Sequence, residues 1–131
     1  MYCIIKLSYF GIDKTLINLF YKSTLQSIIT FCIVAWGGNT RESDRDKIDS
    51  LIRKVNKITQ VDNPFFQQLF ESACITKFIK IEKDINYSIH SKIVRSKRSP
   101  HRLIFSNMKN ERHRQSFLPY ATRIMSLRDK R

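Results

Sequence analysis

The chain has 131 residues, of which 24 are lysine or arginine and 11 are aspartate or glutamate, giving a formal net charge of +13. A hydrophobic content of 42% with only 3 glycines and 3 prolines favours one small helical domain over a turn-rich β fold. The three cysteines, Cys3, Cys32 and Cys74, are far apart and odd in number, which excludes a disulfide framework and a zinc motif.

The first forty residues are mostly apolar. Residues 2–10 form a short apolar element that ends at Gly11, and Asp13 is suited to cap a long helix over residues 14–36. That helix has about the length of a bilayer span, but Lys22 and several polar residues interrupt it, and its apolar part is too short to cross. We therefore expect a helix buried on most sides, which needs cover from a partner or from further protein.

The same segment bears on localisation. Residues 1–11 have a short apolar stretch interrupted by Lys6 and no small-residue cleavage site, so they do not resemble a signal peptide. We expect a cytoplasmic or nuclear protein that is not secreted and has no membrane partner.

A second helix is predicted after the sequence Trp36-Gly37-Gly38-Asn39, which ends the first. It carries a capping-box spacing at Ser43 and Asp46 and an Asp49–Arg53 pair at i, i+4. One apolar stripe consists of Ile48, Leu51, Ile52, Val55 and Ile58. The opposite face is charged; Lys54 and Lys57 on it are either solvated side chains or phosphate contacts.

A third helix is predicted to begin with Asn63 as N-cap and Pro64 at the first helical position. Its aromatic side chains are typical of a core rather than of a base-stacking surface. A weaker helix is predicted over residues 82–94, using Ile85, Ile89 and Ile93. The expected fold is all-α: a small irregular bundle of about four helices with a basic, loosely structured C-terminal arm.

The charge is concentrated in the second half of the chain. Residues 1–66 carry nine basic and six acidic side chains, whereas residues 67–131 carry fifteen and five. Residues 92–131 alone hold twelve lysines and arginines, with short apolar islands between them. This asymmetry is typical of a protein that binds phosphate, most simply as nucleic acid and alternatively as an anionic membrane face, although a solvated basic surface would have the same composition. It divides the chain into a helical region, 1–94, and a basic segment, 95–131.

No enzyme site is evident in the sequence. The three histidines, His90, His101 and His113, have no carboxylate or thiol at ligand spacing, and no Gly-Lys-Ser/Thr follows Gly37-Gly38. Metal binding and phosphate-loop chemistry are therefore not predicted, and no catalytic residue or cofactor is expected in this chain.

Two ordered series of residues in the chain form a recognisable pattern. The N-terminal series is Lys6-Leu7, Phe10-Gly11, Leu19-Phe20-Tyr21, Ser23, Ser27-Ile28, Trp36-Gly37-Gly38-Asn39, Asp44-Arg45, Leu51, Val55 and Lys57-Ile58. The C-terminal series is His101-Arg102-Leu103-Ile104, Arg112-His113-Arg114 and residues 116–125. Their order resembles the region downstream of the catalytic domain in reverse transcriptases of non-LTR, LINE-type retrotransposons. The series covers nearly the whole chain, although no single motif is diagnostic.

The resemblance implies thumb-like helices and a C-terminal basic segment that hold template RNA or an RNA/DNA hybrid beside the palm. The family's aromatic-x-Asp-Asp motif, which holds Mg²⁺, is absent from this sequence. The chain is thus expected to be a non-catalytic fragment of an RNA-directed DNA polymerase, and the missing palm and fingers are a candidate partner. The expected phosphate contacts are Lys92, Arg95, Lys97, Arg98, Arg102, Arg112, Arg114 and Arg123, followed by Lys54 and Lys57.

Three other interpretations remain open. The chain could be a free-standing basic helical module that binds nucleic acid, or an interaction protein whose apolar helix docks a partner. It could also be a decayed open reading frame without a selected function.

Overall fold

The computed structural model describes residues 1–95, 97, 103–104 and 110–128, and this part of the chain is all-α, as predicted. The helices are α1 (Tyr2–Tyr9), α2 (Lys14–Tyr21), α3 (Ser27–Thr30), α4 (Ile33–Trp36), α5 (Glu42–Thr59), α6 (Phe66–Lys83), α7 (Glu111–Arg114) and α8 (Phe117–Arg128). A π-helical turn, Lys22–Gln26, joins α2 to α3, and short 3-10 turns occupy Gly37–Asn39 and His90–Lys92. The expected number of about four helices was too low.

A two-residue antiparallel pair is the only extended pairing in the described part of the chain. Its strands are β1 (Val94–Arg95) and β2 (Leu103–Ile104), with Val94 opposite Ile104 and Arg95 opposite Leu103. The pair is too short to change the fold class.

The chain divides into two compact units. Unit 1 contains residues 1–33 and 40–69, and unit 2 contains residues 34–39 and 70–131. These two units are defined by which residues pack together. The predicted boundary between residues 94 and 95 was based on the distribution of charge, and it stays a prediction.

The core of unit 1 is formed where α1, α2 and α5 meet. Ile4, Ile17, Tyr21, Ile52 and Val55 are buried there. The last two belong to the predicted stripe of α5, whose other members pack around this core. Because α2 and α5 contribute their residues at i, i+4 and i, i+3 spacing, each of these two helices buries one face.

Asp13 begins α2 as predicted. Its Oδ2 accepts a hydrogen bond from the backbone N–H of Thr15 at 3.0 Å. The side chain of Thr15, and after it this backbone bond, lower the pKa of the Asp13 carboxyl, because hydrogen bonds to the carboxylate favour the ionised form.

The prediction of one continuous helix over residues 14–36 is wrong. After the π-helical turn, the helix ends at Thr30, and Cys32 adopts a left-handed backbone conformation with φ of 49°. Hydroxyl groups compete for helical carbonyls along this run: Ser27 Oγ donates to Ser23 O at 2.6 Å, and Thr30 Oγ1 donates to Gln26 O at 2.9 Å. Such bonds bend helices.

The expected burial of this run on most sides is also wrong. Ile17, Tyr21 and Ile33 are buried, but Leu16, Leu19 and Ile28 are exposed. Only one side of α2 faces the core that α1 and α5 provide.

The start of α6 differs from the sequence prediction. The helix begins at Phe66, and Asn63 is buried within unit 1 rather than acting as an N-cap. Its Nδ2 donates to Asn18 Oδ1 at 3.1 Å and to Asn56 Oδ1 at 2.9 Å. Asn63 therefore ties α2 to the end of α5.

Unit 2 is built on the remainder of α6. Phe70, Cys74, Phe78 and Ile81 are buried, together with Ala121 of α8. The predicted helix over residues 82–94 is wrong: α6 ends at Lys83, and Asp84 Oδ1 accepts from the backbone N–H of Asn86 at 3.0 Å, which stabilises a turn instead. In contrast, α7 and α8 are helices where a loosely structured arm was expected.

Candidate nucleic-acid interface

The C-terminal half of α5 presents three exposed cations, Arg53, Lys54 and Lys57. The helix places them opposite Ile52 and Val55, which are buried in the core of unit 1. Arg53 and Lys57 are four residues apart and Lys54 and Lys57 are three apart, so their side chains are neighbours on the helix surface. We call these three residues the α5 cation group.

No carboxylate in the described part of the chain pairs with the α5 cation group. The expected Asp49–Arg53 pair does not form; Asp49 Oδ1 instead accepts a hydrogen bond from the backbone N–H of Phe66 at 2.8 Å. Asp49 therefore holds the first residue of α6, and Arg53 is left to solvent. By comparison, Lys47 nearer the start of α5 donates to Asp44 Oδ1 at 3.0 Å.

Unit 2 contributes further predicted residues from α7 and α8. Arg112 is exposed. Arg114 is paired, with its Nη1 at 3.6 Å from Glu111 Oε2. Arg123 lies over the ring of Tyr120, 5.4 Å from guanidinium carbon to ring centroid. Arg112 is thus more available to a phosphate than Arg114.

Tyr120 is fixed in place beneath Arg123. Its hydroxyl donates to Glu71 Oε1 at 3.3 Å, and its ring packs on Phe70 with centroids 4.7 Å apart. Because Phe70 is buried, this contact anchors α8 to α6 within unit 2. The stacked arrangement restricts the guanidinium of Arg123 before any ligand arrives.

The other predicted contacts are placed only in part. Lys97 is exposed. Lys92 falls in the 3-10 turn His90–Lys92, and Arg95 falls in β1. Arg98 and Arg102 lie outside the described residues.

Lys80 and Lys83 were missed by the sequence reasoning. Both are exposed in the last turn of α6, on unit 2. Their position before a helix C-terminus was a usable signal, since cations are favoured there. The structure thus brings cations together on α5 in unit 1, and separately at the end of α6 and on α7 and α8 in unit 2.

Two other kinds of feature are absent from the described residues. Among the described residues, no group of three or more histidine, cysteine, aspartate or glutamate side chains could hold a metal ion. No single helix in that part of the chain is long and apolar enough to cross a bilayer. Lys14–Thr30 and Ile33–Asn39 meet the length and composition requirements only as a pair, bent by 42°.

Comparison with known proteins adds no relative. No protein-family model matches the chain. Neither curated proteins nor solved structures give a match.

Proposed function

We propose that this chain binds RNA or an RNA/DNA hybrid through phosphate contacts, without catalysing a reaction. In this proposal it corresponds to the thumb and post-polymerase region of a non-LTR retrotransposon reverse transcriptase. The observation that carries the proposal is the α5 cation group, in which three neighbouring cations face solvent without a carboxylate partner in the described residues.

Neighbouring like charges on a helix are unfavourable by a few tenths of a kcal/mol per pair. A phosphate strand along α5 relieves this repulsion and releases its own condensed counterions, so association is favoured by entropy as well as by charge. The net charge of +13 adds a long-range attraction for polyanions.

The contacts in the proposal are with phosphates rather than bases. Contacts from lysine and arginine to phosphates position a strand but carry no sequence information. We therefore expect little dependence of affinity on sequence.

The test is the salt dependence of binding. Fluorescence anisotropy would measure the affinity of the full chain for a labelled single-stranded RNA of about 20 nucleotides and for an RNA/DNA hybrid, between about 50 and 200 mM NaCl. Each lost phosphate contact reduces the slope of log K against log salt by about 0.7 for a single strand. Lys54→Gln with Lys57→Gln should therefore reduce the slope by about 1.4.

Lys47→Gln is the matched control, since Lys47 lies on the same helix but is paired with Asp44. It should change the slope by less than Lys54→Gln alone. If Lys54→Gln and Lys47→Gln each lower a steep slope of log K against log salt by the same amount, then net charge, and not the α5 cation group, accounts for binding. Absence of binding at low salt would reject the proposal altogether.

The relation to a reverse transcriptase has its own test. Genomic sequence upstream of the coding region, read in frame or through a frameshift, should encode an aromatic-x-Asp-Asp motif. An unrelated upstream sequence would leave a free-standing module as the better interpretation.

A further inference from the structure

An exposed apolar stripe runs along α2 and α3 in unit 1. Leu16, Leu19 and Phe20 lie at i, i+3 and i+4 on the face of α2 away from the core, and Leu19 is 62% exposed. The π-helical turn Lys22–Gln26 adds one residue to the turn and rotates the following helix back by about 100°. Ile28, 70% exposed, therefore falls close to the line of Leu16.

A second exposed stripe lies on α1. Tyr2, Ile5 and Tyr9 share one face, and Tyr9 is 85% exposed, while Ile4 on the other face is completely buried. Both stripes point away from the same core, because Ile4 and Ile17 meet within it. Unit 1 thus shows apolar side chains on its outside that its own helices do not cover.

Lysine side chains lie beside these stripes. Lys6 lies next to Tyr2 on α1, with its Nζ 5.5 Å from the ring centroid, and Lys22 follows α2 as an exposed side chain. Asp13 is the only carboxylate in residues 1–41, and it is engaged by the backbone N–H of Thr15. Lys6 and Lys22 thus place positive charge beside the apolar side chains of α1 and α2.

This combination selects among the surfaces that could cover the stripes. A second copy of the chain would bring like charges together at the rim. A nucleic acid could stack bases on the aromatic members of the stripes, Tyr2, Tyr9 and Phe20, but it would leave the aliphatic Leu16, Leu19 and Ile28 against phosphates or water. A bilayer with anionic headgroups meets both requirements, because its acyl region accepts leucine and isoleucine while its headgroups attract lysine.

We propose that α1 and the run Lys14–Thr30 of unit 1 lie on the surface of an anionic lipid bilayer. Leu16, Leu19 and Ile28 enter the boundary between headgroups and acyl chains, and Lys6 and Lys22 contact headgroup phosphates or carboxylates. The helices lie in the interface and do not span it. This departs from the expectation of no membrane partner, which was argued against a helix that spans the bilayer and not against one that lies on its surface.

The test must separate apolar insertion from simple charge attraction, since a chain of net charge +13 associates with any anionic surface at low salt. Flotation of the full chain would be measured with vesicles of phosphatidylcholine and with vesicles that also contain phosphatidylserine, at low and at physiological salt. The apolar variant is Leu16→Ser with Leu19→Ser. Its matched control is Ile85→Ser with Leu127→Ser, two exposed apolar residues of unit 2. All four side chains are exposed, so circular dichroism should show unchanged helix content.

Binding of the unaltered chain to vesicles that contain phosphatidylserine should persist at physiological salt. The apolar variant should reduce this binding at least tenfold, and the control variant should not. Lys6→Gln with Lys22→Gln should reduce the preference for anionic over neutral vesicles. Equal binding by all variants, lost on adding salt, would overturn the proposal by assigning binding to diffuse charge.

Two further outcomes would also overturn it. One is a dimer that the apolar variant converts to a monomer, without vesicle binding by either form. The other is a loss of RNA affinity, rather than lipid affinity, in the apolar variant. This proposal is independent of the proposed nucleic-acid binding. The two can be told apart because the apolar variant leaves the α5 cation group intact.

Discussion

Replacing Gly38 with alanine should destabilise unit 2 more than any exposed substitution nearby. Gly38 is buried in the 3-10 turn Gly37–Asn39, which follows α4. A Cβ at this position would lie 3.0 Å from the carbonyl carbon of Gln115, and closer still to the carbonyl oxygen. It would also approach Cζ of Phe70 at 3.4 Å.

The expected cost follows from which atoms would have to move. Carbon atoms pack best at about 3.5–4.0 Å, so the contact with Gln115 is strongly repulsive. The obstructing atoms belong to the backbone just after α7, and a rotamer change cannot remove them. Overpacking of this kind costs about 1–3 kcal/mol. Because relief requires separating two backbone segments, we expect about 3 kcal/mol, which lowers the folded-to-unfolded ratio by about 150-fold.

Trp36 provides the assay. It is the only tryptophan in the chain and belongs to unit 2, so its fluorescence during urea unfolding reports on the unit that contains Gly38. Asn39→Ala is the matched control, since Asn39 is the exposed neighbour and its loss should change stability by less than about 0.5 kcal/mol. Equal stability of Gly38→Ala and Asn39→Ala would refute the close approach of Gly38 to Gln115.

Two other predictions concern ionisable groups. Burial raises the pKa of the Cys74 thiol to about 12, with a smaller contribution from Glu71. Cys3 and Cys32 are exposed, so a disulfide reagent at pH 8 should modify two thiols rapidly in the folded chain and the third only after urea unfolding; rapid modification of all three would contradict the burial of Cys74. Hydrogen bonds from Thr15 lower the pKa of Asp13 below its ordinary value of 3.8 in the folded chain. The ionised carboxylate therefore stabilises the folded state above pH 3.8, and this stabilisation is lost as the pH falls through the pKa of the folded state. Asp13→Asn should remove this part of the acid sensitivity measured by urea unfolding between about pH 2 and 6, and an unchanged pH profile would show that the carboxylate does not stabilise α2.

Several features of the fold could be predicted because they are local. The Asp13 cap and the inward face of α5 depend on residues within one or two turns of each other, so helical periodicity and capping chemistry are sufficient to place them. The all-α class followed from the same periodicity together with the scarcity of glycine and proline.

Other features depended on competition between local and distant partners. Asp49 has an arginine four residues away, but in the structure its carboxylate accepts a hydrogen bond from the backbone N–H of Phe66. Asn63 had the sequence of a helix cap, but its amide joins Asn18 and Asn56 instead. In each case the side chain bonds to a partner that folding brings near, and not to the partner expected from its local sequence. Residue spacing alone does not predict such a partner.

For the candidate interface, the sequence by itself determined that the chain is strongly cationic, where its lysines and arginines lie, and that α5 has a charged face opposite an apolar one. Only the tertiary structure decided that Arg53, Lys54 and Lys57 are without carboxylate partners in the described residues, and that α2 has an apolar outer face. The reason is that charge and periodicity are properties of neighbouring residues, whereas pairing and burial depend on which distant side chains the fold brings into contact.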